Sequence, residues 1–437
     1  MPRRVVTFLF ACAIALMVLA LGWLFREMLG SSDLPTPAVT EARSAPKKAA
    51  RASTPPPSGA LNTDRLQTVT AAPVDPAKDL AQALAHPHAV PGEALLTFRN
   101  QAALAAFRAR AAAQGLEIIG IDPTLLTARV RYRDLAGLLA DVRDHAEELA
   151  HAGPNWVTRI PGLPAAQPQK DGSNAGGDTK FLSQGLDLIG AAANRSGWGK
   201  GITVAVLDSG ITDHPALNGA VKSHIDLVGD GSAPHGHGTA MASLIAGRDG
   251  TAAGVSPAAD LIDIRVTDAK GSSNTALLSS GIVRAVQDGA KVINISLGSS
   301  QSSPVLENAV QYALSQGVVV IAAAGNEQQN MLSYPAGIPG VISVAAVDAA
   351  GRQAWFSNSG QGLSVAAPGV GIISAYTDQR IVIGSGTSQS AALTSGAVAY
   401  LLGRGYQAQN ISQIITRNAR PTGAPATAVG AGILHLP

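Results

Sequence analysis

The chain has 437 residues, which at roughly 150 residues per domain favours two or three domains over one. Its hydrophobic content of 46% argues against disorder throughout, and 32 Lys and Arg against 30 Asp and Glu leave no basic footprint for a nucleic-acid partner. The single cysteine, Cys12, excludes a disulfide framework, a redox pair of cysteines and a cysteine-based zinc site. Any chemistry therefore depends on serine, histidine and carboxylate side chains.

The N-terminus carries an apolar run from Val5 to Phe25, which follows Arg3 and Arg4. A helix of about 20 apolar residues crosses a bilayer, and positive charge before the run favours export of everything after it. A cleaved signal peptide is the alternative, but the run is longer than the core of most signal peptides. We therefore expect residues 1–30 to anchor the protein in the membrane, with the rest periplasmic or extracellular, or secreted after processing.

Two stretches of the chain are predicted to be linkers from their composition. Residues 31–90 begin with a segment that is rich in Pro, Ala, Ser and Thr and shows no apolar periodicity. Residues 161–180 are rich in Pro, Gly, Gln and Asn. Because a flexible segment can enter a cleft whereas a packed strand cannot, a proteolytic cut is expected in the second linker.

A small domain is predicted between these linkers, at residues 91–160. Its expected elements are a strand at Glu93–Phe98, a helix from Asn100 to Gly115, strands at Leu116–Ile121 and Leu125–Tyr132, a helix at Asp134–Leu149 and an extended piece at Asn155–Ile160. The order strand, helix, strand, strand, helix, strand is that of the α+β ferredoxin-like motif. Nothing in this region indicates catalysis.

A large domain is predicted for residues 181–437, where short aliphatic runs alternate with helical patterns. The predicted strands are Ile202–Leu207, Val292–Ile295, Val318–Ala324 and Val341–Val347, and the predicted helices are Thr275–Asp288, Ser303–Gln316 and Ala391–Leu402. This alternation predicts an α/β fold with a mostly parallel sheet and helices on both faces. Active sites of such sheets lie at the carboxyl ends of the strands.

Two candidate residues are an aspartate and a histidine. Asp208 follows the first strand, where a carboxylate can orient a histidine, although Asp-Ser-Gly alone is typical of a plain turn. His237 opens a helix of small residues and can act there as a general base. It could also be a structural histidine or form a metal pair with His235, but no further ligand motif supports a metal. We therefore predict no metal and no cofactor.

The other two candidates are an asparagine and a serine. Asn326 follows the strand at Val318–Ala324, where its amide can donate to a developing oxyanion, although Gly-Asn is also common in turns. Ser388 precedes the helix at Ala391–Leu402. A serine there is usually a cap, but as a nucleophile it would gain from the N–H groups and the positive end of the helix.

These candidates belong to four short motifs in a defined order. The motifs are Asp208-Ser209-Gly210, His237-Gly238-Thr239, Ala323-Ala324-Gly325-Asn326 and Gly386-Thr387-Ser388, with spacings of 29 (237 − 208), 89 (326 − 237) and 62 (388 − 326) residues. The set resembles the subtilisin-like serine proteases, the subtilase family, whose triad follows the same order of Asp, His and Ser. The resemblance covers about residues 181–420.

The resemblance implies a serine endopeptidase that cleaves polypeptides by acyl transfer. Ser388 would be the nucleophile, His237 the general base, Asp208 the carboxylate that orients it and Asn326 the oxyanion donor. It also implies two extended edges that pair with the substrate backbone and one pocket wall, and these substrate-binding residues are Gly271, Ser272, Ser273, Ser296, Leu297, Gly298, Ala323, Ala324 and Gly325.

The small domain resembles the inhibitory pro-domain of this family, whose tail occupies the cleft. The protein's own pro-domain is therefore the expected intramolecular inhibitor, and self-cleavage should leave a new N-terminus between about Gln167 and Leu182. Two departures from the family's pattern matter. Gln389-Ser390-Ala391-Ala392 replaces Met-Ala-x-Pro, which puts the geometry of that helix in question, and the connection after His237 lacks an Asn-rich calcium loop, so no calcium site is predicted.

Two other classes of function remain open from the sequence. A catalytically inactive subtilisin-like binding module would need a broken triad, and all three triad residues are present. A membrane-tethered structural protein would explain the linkers, but it would not explain four motifs in order.

Overall fold

The computed structural model describes residues 76–162, 179–182, 184–191, 194–248 and 250–437, all within one compact unit. The predicted anchor at 1–30, most of the linker at 31–90 and most of the linker at 161–180 lie outside these residues. Within the described part of the chain, no helix combines the length and the apolarity needed to cross a bilayer.

The small domain is a four-stranded antiparallel sheet with helices on one face. Its elements are helices α1 (Pro76–Leu84), α2 (Gln101–Arg110) and α3 (Leu135–Asp144) and strands β1 (Ala89–Phe98), β2 (Leu116–Asp122), β3 (Thr127–Tyr132) and β4 (Leu149–Arg159). The strand order β2-β3-β1-β4 is the ferredoxin-like order predicted from the sequence. Leu96, Phe98, Phe107 and Leu138 are buried between the sheet and its helices.

The boundaries of the small domain differ from the prediction in two places. Helix α1 and the start of β1 lie inside the stretch predicted as a linker, and Leu80 of α1 belongs to the small domain's core. The second predicted helix ends at Asp144 and not at Leu149, because Leu149 pairs with Phe98 in the sheet. Pairing with a neighbouring strand outweighs the helical spacing of the leucines.

The large domain is built on a seven-stranded parallel sheet with the order β12-β11-β10-β9-β5-β7-β6. Its strands are β5 (Thr203–Asp208), β6 (Val221–Asp226), β7 (Asp260–Arg265), β8 (Ser272–Asn274), β9 (Val292–Ile295), β10 (Val319–Ala323), β11 (Ile342–Val347), β12 (Val365–Pro368), β13 (Ile372–Ala375) and β14 (Ile381–Gly384). Its helices are α4 (Gly185–Leu188), α5 (His237–Ala246), α6 (Thr275–Gln287), α7 (Pro304–Ser315), α8 (Thr387–Gly403), α9 (Ala408–Asn418) and α10 (Ala426–Val429). Strands β13 and β14 form a separate antiparallel hairpin, and β8 pairs with the small domain's sheet.

Helix α8 runs through the middle of the large domain and is buried along nearly all of its length. Small residues allow this close packing. A Cβ on Gly396 would lie 2.7 Å from Val255 Cβ and 3.2 Å from the Ile245 carbonyl oxygen, so only glycine fits where α8 approaches α5. The helix is continuous from Thr387 to Gly403 although Gln389 and its neighbours depart from the family's pattern.

Strands β6, β7 and β12, the hairpin and helix α9 were not predicted. Strand β7 shows why, because charged residues interrupt its apolar pattern. Arg265 is buried at the end of β7, where its guanidinium donates to Asp226 at 3.1 Å and Asp230 at 2.9 Å. The partners that make this burial tolerable lie far away in sequence, and periodicity does not reveal them.

Candidate active site

Asp208 is the last residue of β5 and lies at the carboxyl edge of the sheet. Its side chain is fully buried, and the backbone N–H of Ser209 donates to its Oδ1 at 2.8 Å. A buried carboxylate needs such donors, since it has lost its hydration. The group is therefore held in one orientation, facing the next element of the site.

His237 is the first residue of α5, and its ring faces Asp208. Its Nδ1 lies 2.8 Å from Asp208 Oδ1 and 3.0 Å from Oδ2, an arrangement that assigns the proton to Nδ1 and leaves Nε2 as the base. Gly238 permits this approach, because a Cβ there would lie 2.4 Å from the Gly210 carbonyl oxygen. Ser209 Oγ accepts the Gly238 N–H at 3.0 Å and donates to the His235 carbonyl at 2.5 Å, which joins the two loops.

Ser388 is the second residue of α8, and its side chain is only slightly exposed. Its hydroxyl donates to the Ser296 carbonyl oxygen at 3.3 Å. Ser296 lies just after β9, so the bond joins the start of the central helix to the carboxyl edge of the sheet. At a helix start the first backbone N–H groups have no partner within the helix, so this position favours an anion beside Ser388.

Asn326 lies just beyond β10 and is bonded to the start of α8. Its Oδ1 accepts from the Thr387 backbone N–H at 2.9 Å and from Thr387 Oγ1 at 2.8 Å. Both bonds use the amide oxygen, so the Nδ2 group remains available as a donor. The structure thus brings Asn326 to the start of α8, where it is bonded to Thr387, the residue directly before Ser388.

The last three residues of β4, together with Ile160, form a tail, Val157–Ile160, which lies between the two predicted substrate-binding edges. On one side it pairs antiparallel with β8, with Thr158 opposite Ser273, and the Ile160 N–H donates to the Gly271 carbonyl at 2.9 Å. On the other side Arg159 and Gly298 exchange two backbone bonds, of 2.9 and 3.0 Å. The tail therefore fills the position of an added strand.

The predicted pocket wall at Ala323, Ala324 and Gly325 lies at the end of β10, next to Asn326. Both alanines are buried, and Gly325 has a φ of +110°, which favours glycine. A pocket beside the tail has a different lining, which includes Ile160, Pro161, Gly298, Glu327, Leu332, Ser333 and Asn358.

Asn358 was missed by the sequence analysis, although it organises the loop after β10. Its Oδ1 accepts from the backbone N–H groups of Glu327 and Gln329, both at 3.0 Å. Its Nδ2 donates to the Ala324 carbonyl at 3.2 Å and to Glu327 Oε2 at 2.9 Å. Asn358 lies in a Ser-Asn-Ser-Gly turn, and nothing in that local sequence distinguishes it from an ordinary turn residue.

Asn155 of the small domain was also missed. Its Oδ1 accepts from Thr275 Oγ1 and from the Ala276 backbone N–H, both at 3.1 Å, at the start of helix α6. It thereby supplements that helix's own N-cap, Asn274, which accepts the Leu277 N–H. Its Nδ2 donates to the buried Glu93 carboxylate at 2.8 Å. The small domain thus supplies a hydrogen-bond acceptor to the start of α6. This helix directly follows β8, which is part of the predicted substrate-binding edge.

His235, the alternative partner of His237, has a different environment. Burial, and then the neighbouring His237 charge, lowers the pKa of His235 below the usual histidine value. Its Nδ1 accepts from the His237 backbone N–H at 3.3 Å. Across the described ranges, no group of three or more His, Cys, Asp or Glu side chains could hold a metal ion.

Gln389 follows the candidate nucleophile and is buried next to it. Within the described part of the chain its Oε1 has no hydrogen-bond partner. A Cβ on Gly386 would lie 2.9 Å from this oxygen and 3.0 Å from Asn326 Nδ2, so Gln389 and Asn326 approach the same glycine.

Comparisons with known proteins show the family of the chain. Residues 199–432 match the model of the subtilase family, Peptidase S8. The chain belongs to the subtilase family. This subtilase is 38% identical over 251 residues to the thermostable alkaline protease of Halalkalibacterium halodurans. The match covers 56% of this chain and 69% of the relative.

Two further relatives place the subtilase among serine proteases. It is 39% identical to Subtilisin Savinase of Lederbergia lenta over 214 residues, which cover 48% of this chain and 79% of the relative. The structure of fervidolysin from Fervidobacterium pennivorans, a keratinolytic enzyme related to subtilisin, superimposes with a TM-score of 0.68 at 26% identity. That match covers 79% of this chain and 60% of the fervidolysin chain. The protein is a subtilisin-like serine peptidase.

Proposed function

We propose that this subtilase hydrolyses peptide bonds inside polypeptides through Asp208, His237 and Ser388. The observation that carries the proposal is the double contact of His237 Nδ1 with the buried Asp208 carboxylate, at 2.8 and 3.0 Å. This contact fixes the tautomer in which Nε2 is a base, and it stabilises the imidazolium that forms when the base accepts a proton.

The reaction begins when Ser388 Oγ leaves the Ser296 carbonyl and transfers its proton to His237 Nε2. The oxygen attacks the substrate carbonyl, and the oxyanion accepts hydrogen bonds from Asn326 Nδ2 and the Ser388 backbone N–H. The C–N bond then breaks as His237 gives the proton to the leaving amine, which leaves an acyl-enzyme ester on Ser388. Water, deprotonated by His237, cleaves the ester and restores the serine.

The small domain acts as an intramolecular inhibitor in this proposal. Its tail at Val157–Ile160 pairs with both edges at which a substrate strand would bind, so the two compete for the same backbone groups. The hydrogen bond from the Ala276 N–H of α6 to Asn155 adds a second contact outside the cleft. The tail therefore inhibits by occupying the substrate-binding edges, and inhibition needs no change in the triad.

Release requires a cut between the two domains. We place it between about Gln167 and Leu182, so that only non-covalent contacts hold the small domain afterwards. The protein would act in the periplasm or outside the cell, and an N-terminal anchor at 1–30 would tie the uncut chain to the membrane. Self-cleavage would then free the protease from its anchor.

Peptidase assays on purified variants test the catalytic assignment. Ser388→Ala should abolish hydrolysis of casein and should accumulate as the full-length chain, because the acyl-enzyme cannot form. The matched control is Ser412→Ala, which removes the hydroxyl of an exposed serine on α9 and should retain wild-type activity. Casein hydrolysis by Ser388→Ala at the rate of the control would refute the assignment.

A further inference from the structure

The register of the tail determines which of its residues faces the nucleophile. In an antiparallel pair, opposed residues alternate between those that exchange two backbone bonds and those that exchange none. Arg159 and Gly298 exchange two. The next bonded pair lies two residues onward in the tail and two residues back in the edge, so Pro161 is opposite Ser296.

Ser296 is adjacent to the reacting serine. Its carbonyl oxygen accepts the hydroxyl of Ser388 at 3.3 Å, and its own Oγ donates to the Ser388 carbonyl at 3.4 Å. The tail residue opposite Ser296 is therefore the residue whose carbonyl carbon a substrate would present for attack. In this chain that bond would be Pro161–Gly162.

Proline changes what can happen at this position, because it has no backbone N–H. Any other residue at 161 would donate to the Ser296 carbonyl and complete the ladder that Arg159 begins. Within the described residues no backbone N–H donates to Ser296, and the Ser388 hydroxyl occupies that acceptor. The Ser388 hydroxyl therefore donates to the substrate-binding edge at Ser296, whereas the attack requires that it donate to His237.

We propose that Pro161 makes the tail a poor substrate for the cleft that it occupies, so that the small domain blocks the site without being cut at the Pro161–Gly162 bond. The proposal rests on the proposed function, because it assumes that Ser388 is the nucleophile and that the tail binds as a substrate does. Pro161 determines the specificity of self-processing: the missing hydrogen bond leaves the scissile carbonyl unanchored, and the cut falls further along the chain.

The test compares self-processing of the full chain with that of three variants. Pro161→Ala restores the N–H, and Pro161→Gly restores it without a side chain. Pro123→Ala is the matched control, since Pro123 is an exposed residue between β2 and β3 of the same domain. Intact-mass measurements over time give the rate at which the full-length chain disappears and the first residue of each product.

Wild type and Pro123→Ala should produce N-termini beyond Gly162, with the Pro161–Gly162 bond intact. Both Pro161 variants should produce an N-terminus at Gly162, and their full-length chain should disappear about tenfold faster, the effect of one added hydrogen bond to the scissile residue. Wild-type product that starts at Gly162 would overturn the proposal. So would Pro161 variants with the wild-type rate and N-terminus.

These results are distinct from failure of the proposed function. A fluorophosphonate reagent labels an activated serine, so each processed protein is also tested for labelling. Labelled proteins with identical processing overturn only the role of Pro161. If no variant is labelled or processes itself, the catalytic assignment and the role of Pro161 are both wrong.

Discussion

The two sheets of this protein are buried in different ways. The parallel sheet of the large domain is covered by that domain's own helices, and its central strands β9 and β10 are buried at every residue. The small domain covers one face of its sheet with its own helices. Two of its other leucines, Leu95 and Leu125, are buried instead in the core of the large domain. The small domain therefore completes its burial only by docking, which couples its stability to occupancy of the cleft.

The largest expected effect is a loss of kcat in a variant of the large domain that leaves the docking of the small domain unchanged. Asn326→Ala should lower kcat by about 100- to 1000-fold, because one oxyanion donor is lost. The small domain makes no hydrogen bond to Asn326 among the described residues, so its docking should not change. Steady-state kinetics on a peptide substrate measure the effect, and an unchanged kcat would contradict the assigned role of the amide.

Leu95 and Leu96 test the two faces of β1 directly. Both leucines are buried, but Leu95 packs into the large domain and Leu96 into the small one. Each change to Ala should cost about 2–5 kcal/mol, which for Leu95→Ala is lost from docking and for Leu96→Ala from the fold of the small domain. The experiment uses chains that also carry Ser388→Ala, so that self-cleavage does not interfere.

Hydrogen exchange distinguishes these two outcomes. Leu95→Ala should speed exchange at the tail amides of Val157–Ile160 while the small domain's own strands remain protected. Leu96→Ala should speed exchange throughout β1, β2 and β3. If both variants gave the same exchange pattern, the division of the sheet into two independent faces would be wrong.

Asn155 and Asn100 provide a smaller and similarly matched comparison. Both accept a backbone N–H in the first turn of a helix. Asn155 does so across the interface, beside the N-cap Asn274 of α6, whereas Asn100 is itself the N-cap of α2 and accepts the Ala103 N–H at 2.9 Å. Each change to Ala should cost about 1 kcal/mol. Only Asn155→Ala should hasten the onset of casein hydrolysis by freshly refolded chain, so equal onset times would contradict the role of the interdomain hydrogen bond.

The smallest expected effect is on the pH dependence of the large domain. The hydrogen bond from His224 Nδ1 to Asp263, 2.8 Å long, raises the pKa of His224, with a further contribution from Asp213, and burial raises the pKa of Asp263. A histidine with a raised pKa stabilises the fold fully below about pH 6.5, and the contribution is lost as pH rises through the folded pKa. The raised pKa of Asp263 has the same sign but acts from the ordinary aspartate pKa of 3.8 upward, so the fall in stability above about pH 6.5 is assigned to His224.

Thermal unfolding between pH 6 and pH 9 tests this sign. The Tm of the wild type should fall more over this range than the Tm of His224→Gln, which keeps a side-chain donor but cannot gain a proton. A steeper fall in the variant would show that the sign is wrong.

The sequence predicted the large domain's sheet best where burial is complete. Strand β9 has the predicted bounds, Val292–Ile295, because it is buried on both faces and its aliphatic residues are interrupted only by the buried Asn294. Strand β7 was missed because Asp263 and Arg265 depend on partners that only the fold brings near. The candidate site could be proposed from the sequence because four short motifs occur in the order of the subtilase family, although single motifs are typical of turns or caps.

Other parts of the site could not be predicted from local patterns. Asn358 and Asn155 act through backbone groups that are distant in the sequence, and neither stands in a distinctive motif. The bridge between Arg159 and Gly298, from which we infer the position of Pro161, pairs two domains. Long-range backbone pairing leaves no periodic signal in the residues that take part.

Mapping of a fluorophosphonate adduct on the Asn155→Ala and wild-type chains, before and after processing, tests the central claim most directly. The account predicts one adduct, on Ser388, that forms slowly while the tail at Val157–Ile160 occupies the cleft and rapidly once the small domain has gone. Labelling on another residue would contradict the catalytic assignment. Labelling of Ser388 at the same rate in uncut and processed protein would contradict inhibition by the tail.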